Sequence, residues 1–108
     1  MIIAYVKHNL TPEGKQYFQE KWFPMVEGFI SVQKGFLLIE YHPDQKQEDC
    51  LHITVKFDNQ ENLDTWVATP EHASVLNLLD PYRTRPWYYV ITENTNIDKE
   101  LLMWNEVA

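Results

Sequence analysis

The order of hydrophobic periodicities constrains this chain most. Residues 2–8 alternate as a strand does, 12–32 repeat at helical spacing, 36–42 and 50–57 are strand-like, 59–79 are helical and 87–93 are extended again. Strand, helix, strand, strand, helix, strand is the βαββαβ order of a ferredoxin-like split β-α-β sheet, an α+β fold whose helices cover one face. Both parities of the second and last strands carry large apolar groups, so the other face is expected to be covered too, by a second copy of the chain or by a ligand. Four strands of about seven residues present a face of about 400 Å². Monomers seldom expose apolar patches beyond a few hundred Å². A two-fold partner laying its own bare face opposite would close both subunits into a barrel-like homodimer.

Local signals place the elements. Thr11-Pro12-Glu13 offers a capping hydroxyl, a proline at the first helical position and an early carboxylate. Phe18, Trp22, Met25, Val26 and Phe29 then form an apolar stripe, and Pro24 predicts a kink or break near Phe23. Gly35 marks the return to the sheet, and the polar tract 43–49 reads as a hairpin loop. In the third strand Leu51, Ile53, Val55 and Phe57 should meet the helices, with Cys50, His52, Thr54 and Lys56 on the other side. By the same parity Tyr5, Lys7, Phe36, Leu38, Glu40 and His42 should share the side of His52. Asp58 and Glu61 have capping-box spacing ahead of Leu63, Trp66 and Val67, and Thr69-Pro70-Glu71 starts a second helical piece.

With 108 residues the chain reads as one domain, 1–94, followed by an extension, 95–108. Leu101, Leu102, Met103 and Trp104 make that extension apolar enough to dock on the domain or on a partner subunit. A net charge of −7 with two arginines opposes nucleic-acid binding, which rests on cationic side chains. No signal-peptide pattern and no apolar run of membrane-spanning length is present, so a soluble, cytoplasmic protein with no membrane partner is expected. Cys50 is the single cysteine, and His8, His42, His52 and His72 show no metal-ligand interval. Neither a metal nor a cofactor is expected, and three glycines leave no room for a dinucleotide fingerprint.

The residues suited to chemistry are few. His52, mid-strand and opposite the core stripe, could act as a base oriented by Glu40, or the two could pair simply to satisfy buried polar groups. Such a base would serve to deprotonate a substrate hydroxyl. Taking a proton from a phenol of pKa about 10 to an imidazole of about 6.5 is uphill by roughly 5 kcal/mol unless the oxyanion is stabilised. Lys56 or Arg85 could do this, or could be solvated charges.

The strand order, the Gly35-Phe36 start of the second strand, the stretch Asn59-Gln60-Glu61-Asn62-Leu63-Asp64-Thr65-Trp66 and the following Pro70-Glu71-His72 together resemble the antibiotic biosynthesis monooxygenase (ABM) family of the dimeric α+β barrel superfamily. The resemblance implies a small homodimer with a pocket between sheet and helices, often oxidising hydroxylated aromatics or quinols without metal or flavin. It also implies Trp66 and His72 as pocket residues, whereas helical spacing from Leu63 reads Trp66 as core and the place of His72 after the Thr69 cap reads it as exposed. Strand parity adds Tyr5 and Phe36, and charge adds Arg85, as candidate contacts for a small aromatic ligand. Haem-degrading relatives place an axial histidine about three turns after the corresponding tryptophan. Here that position is Leu76, so haem degradation is not expected. Two other functions remain open from the residues: a non-catalytic small-ligand-binding or stress-related dimeric module, and an isomerase using the same base without oxygen.

Overall fold

The computed structural model describes residues 1–93. The extension 95–108, expected to dock, lies outside them. Four strands, β1 (Ile2–Asn9), β2 (Phe36–Pro43), β3 (Cys50–Phe57) and β4 (Tyr88–Thr92), form one antiparallel sheet in the order β2-β3-β1-β4. Between β1 and β2 run α1 (Pro12–Tyr17), a π-helical turn (Phe18–Trp22) and α2 (Phe23–Ile30); between β3 and β4 run α3 (Gln60–Val67), α4 (Pro70–Leu79) and a short 3₁₀ turn (Asp80–Tyr82). The βαββαβ order is that of the ferredoxin-like fold, as the sequence indicates.

Thr11 caps α1 by accepting the Gly14 N–H at 3.1 Å, and Thr69 caps α4 by accepting the His72 N–H at 3.2 Å. The second helical tract opens differently from the capping-box expectation. Asn59, not Asp58, is the cap, accepting from Asn62 N at 2.9 Å, while Asp58 accepts from the Asn62 side chain at 2.8 Å. One residue of extended backbone at Asn59 shifts the start, and an amide oxygen serves there as well as a carboxylate.

Pro24 has its effect upstream. Proline at 24 cannot donate to the carbonyl one turn back, and the preceding turn widens so that Phe23 N–H reaches Phe18 O, five residues earlier. The chain stays helical instead of breaking. The wider turn also moves the inward stripe to Phe18, Trp22, Val26 and Ile30, all buried, and turns Phe29 outward at 39% exposure.

Residues directly opposite in an antiparallel pair point to the same side. Leu51, Ile53, Val55 and Phe57 face the helices with Ile2, Ala4 and Val6, and their core is closed by Leu63, Trp66, Val75 and Leu79. Opposite them, His42–His52–Lys7–Tyr88 and Glu40–Thr54–Tyr5–Val90 form successive cross-strand rows on the other face. Phe36 departs from the parity reading. It pairs with Phe57 and packs against the helix-side core, because a bulge makes Leu37 an extra residue before Leu38 pairs with Lys56. An inserted residue reverses facing on either side of it.

Gly35 holds that corner with φ +79°. The backbone conformation favours glycine, and a Cβ there would also displace the Asp58 carboxylate from its place beside Asn62.

Candidate functional site

The helices do not seal against the sheet everywhere. Between them lies a cleft of about 60 Å³ to which five rings contribute: Trp22 from the π-helical turn, Trp66 from α3, His72 from α4, His8 from β1 and Trp87 just before β4. Val6, Ile53 and Val55 form the sheet-side floor, with Val26 and Val75 above it.

Local structure fixes each ring. Trp22 is buried at the end of the π-helical turn and its indole N–H donates to Val75 O at 2.6 Å, tying the first helical layer to α4. His72 follows the Thr69 cap, and its ring meets Trp66 edge-on at 5.4 Å between centroids. Trp87 stacks on Tyr89 at 5.4 Å.

His8 has the parity of Ile2, Ala4 and Val6, so the alternation of β1 drives an imidazole into the helix-side core, where it is 1% exposed. The Trp22 ring stands edge-on to it at 5.6 Å. Arg83 donates from Nη1 to His8 Nδ1 at 2.9 Å, from Nε to Asp80 at 2.8 Å and from Nη2 to Leu76 O at 3.2 Å. A guanidinium only donates, so His8 Nδ1 is the acceptor and the ring proton sits on Nε2. Burial, helped by the Arg83 charge, pushes the His8 pKa down to about 3. His8 is therefore neutral at physiological pH and presents an N–H donor. Burial also lowers the His72 pKa, which leaves a neutral imidazole there.

The residues singled out from sequence divide between the two faces of the sheet. Trp66 and His72 line the cleft. Tyr5, His52 and Lys56 lie on the far face with Glu40. Glu40 stands opposite Thr54 and is exposed, and the carboxylate at His52 is Asp44, whose Oδ1 lies 2.8 Å from His52 Nε2. Asp44 follows β2 with the parity of Glu40 and His42, one step past the Pro43–Leu51 pair and opposite Cys50, so it shares the face of His52; ending the strand at His42 hid this. Phe36 packs in the core, and Arg85 is exposed in the segment leading to β4 while Arg83 takes the largely buried position beside the cleft. Sequence reasoning missed His8 and Arg83. Its available signal was a histidine continuing an otherwise apolar parity on β1.

This sheet, helix and cleft arrangement defines a small α+β protein of the ferredoxin-like type with an aromatic pocket on the helix side. Residues 1–77 match the family model described as antibiotic biosynthesis monooxygenase, and the chain belongs to that family. No curated protein sequence matches the chain. Among solved structures it is similar to a candidate antibiotic biosynthesis monooxygenase from Deinococcus radiodurans, with 18% identity over 89% of this chain and 94% of that one and a TM-score of 0.78. A conserved protein from Methanosarcina mazei is similar at 14% identity, 87% and 92% coverage and a TM-score of 0.78. SnoaB, a cofactor-independent oxygenase from Streptomyces nogalater, is similar at 10% identity, 88% and 93% coverage and a TM-score of 0.74. Identities this low speak for a shared fold. Among the described residues no helix is long and apolar enough to cross a membrane.

Proposed function

We propose that the chain is a cofactor-independent monooxygenase that oxidises a small hydroxylated aromatic or quinol in the helix-side cleft. The observation that carries this reading is the pairing of two neutral imidazoles, His8 and His72, with three tryptophans around one cavity. Family membership and the SnoaB-like fold support it.

The chemistry divides between the two histidines. With a pKa of about 3, His8 is too weak a base to deprotonate a phenol, a transfer uphill by roughly 9 kcal/mol. Its Nε2–H is instead suited to donate a hydrogen bond to the substrate oxyanion. His72, half-buried beside Trp66, takes the proton. The histidinium so formed is stabilised by the anion it creates. The anion transfers an electron to dioxygen, the substrate radical and superoxide combine as a peroxide anion that takes the proton back from His72, and loss of water from the hydroperoxide, at a carbon that bears hydrogen, leaves a carbonyl. One oxygen atom enters the product and the other leaves as water. Apolar walls favour the binding of both dioxygen and an aromatic ring.

Ligand pockets usually enclose about 300–1,000 Å³. The cleft here, at about 60 Å³, is smaller than that. Admitting a ring requires the half-buried Trp87, His72 or Leu76 to move aside.

Assembly as a homodimer is part of the proposal. Leu37 on β2 and Tyr89 and Ile91 on β4 are exposed apolar groups on the two edge strands, the part of a sheet most prone to join another chain. Light scattering on the purified protein should give twice 12.9 kDa.

The test follows dissolved oxygen during incubation with a panel of hydroxyquinols and anthrones. Uptake that falls at least tenfold in His72→Ala, with product carrying one atom of labelled oxygen, is expected. Ligand-induced thermal stabilisation with no uptake would replace this reading with a binding module, and turnover under nitrogen would replace it with an isomerase.

A further inference from the structure

We propose that Asp44, Cys50 and His52 form a binding site for one divalent transition-metal ion, with Zn²⁺ the best match, at the base of the β2–β3 hairpin on the sheet face away from the helices. Cys50 and His52 are two apart on β3 and so share that face. Asp44 continues the β2 register one residue past Pro43 and faces Cys50, its N–H donating to Cys50 O at 3.0 Å. Its Oδ2 accepts the N–H groups of Lys46 at 2.9 Å and Gln47 at 2.7 Å. Those two bonds fix the carboxylate with Oδ1 directed at His52.

Three different donor atoms converge there. His52 Nε2 lies 2.8 Å from Asp44 Oδ1 and 3.7 Å from Cys50 Sγ, and the three atoms all fall within 4.8 Å of one another. The cluster is dry: Cys50 is 0% and His52 3% exposed, and the Asp44 side chain 2%.

A nucleophilic relay is the other chemistry such residues perform, and the geometry opposes it. A relay needs the acid on one imidazole nitrogen and the thiol on the other. Here both approach Nε2, and the buried Nδ1 has no partner among the described residues. Convergence on a single nitrogen is what a shared ion would satisfy.

Metal–ligand lengths of about 2.3 Å to sulfur and 2.0–2.1 Å to nitrogen give a tetrahedral S–N edge of about 3.5 Å. The observed 3.7 Å is close to that edge. The Asp44–His52 separation must open by about 0.5 Å as the ion replaces the proton between them. A thiolate and a carboxylate supply the two negative charges that a buried divalent ion requires, with the buried Lys7 opposite His52 as a neighbouring cation. Sulfur, imidazole and one carboxylate oxygen favour Zn²⁺ over Mg²⁺ or Ca²⁺, which prefer all-oxygen sites. Three protein ligands leave a fourth position for water. The backbone donors on Asp44 Oδ2 are the outer shell such a carboxylate needs. Among the described residues His52 Nδ1 has no such partner, which weakens affinity by about 10–100-fold relative to a fully supported site.

The experiment adds Co²⁺ alone to the purified full-length chain and records absorption. One ion per chain is expected, with a thiolate-to-cobalt charge-transfer band and the visible bands of tetrahedral cobalt, both abolished by Zn²⁺. Cys50→Ser should lose the charge-transfer band and bind Zn²⁺ on the order of 100-fold more weakly. Asp44→Asn keeps an oxygen for the loop N–H groups and should weaken binding at least tenfold, whereas the distant Glu71→Gln should bind as wild type does. Absence of the thiolate band in the wild type would overturn the proposal. So would Zn²⁺ stabilisation that survives equally in Cys50→Ser and Asp44→Asn, which would place the metal on surface histidines. The wild-type spectrum decides even if both variants fail to fold.

Discussion

Replacing His8 by glutamine should flatten the acid side of the stability curve. His8 is 1% exposed and its folded pKa of about 3 lies below the unfolded value of 6.5. Between those values the unfolded chain binds a proton that the native one refuses. The His8 contribution is therefore complete above pH 6.5, is lost progressively as pH falls below 6.5, and levels off near pH 3. At 1.36 kcal/mol per pKa unit the full span is about 5 kcal/mol, and the part lost between pH 8 and pH 5 is about 2 kcal/mol. In His8→Gln the side chain cannot titrate, yet its amide oxygen can still accept from Arg83. Denaturant unfolding of both proteins at pH 8 and pH 5, at fixed ionic strength, measures the effect. Carboxylates titrate in both proteins and cancel in the double difference, which should be about 2 kcal/mol. Parallel pH dependences would refute the burial of a neutral His8 and, with it, the donor role given to Nε2.

Trp22→Phe removes the indole donor from Val75 O and should lower stability by about 1–3 kcal/mol in the same unfolding assay. Gly35→Ala should lower it by about 2 kcal/mol or more, since the left-handed backbone resists a side chain and the new Cβ meets Asp58. Asp44→Ala strips the buried partner from His52 and the acceptor from two loop N–H groups, and a loss of about 3 kcal/mol is expected in metal-free buffer. Glu40→Gln should leave oxygen consumption unchanged, because Glu40 is exposed on the sheet face opposite the cleft.

The periodicities determine the element order and the two caps at Thr11 and Thr69, because alternation and helical spacing are local consequences of which face must be dry. They also place Leu51, Ile53, Val55 and Phe57 toward the helices, whereas Trp66 and His72 are singled out by the family resemblance and meet across the junction of α3 and α4. Tertiary structure alone decided the rest. The bulge at Leu37 reversed Phe36, and the π-helical turn ahead of Pro24 exchanged Phe29 for Ile30 in the core; each inserts one residue of register that no periodic count contains. The pairing of His8 with Arg83 joins residues 75 positions apart, and that of His52 with Asp44 depends on the hairpin register running one residue past the end of β2. Sequence alternation tells which residues share a face of one strand. Which face holds a cavity, and which charge reaches it, is set by how the helices and loops close over the sheet.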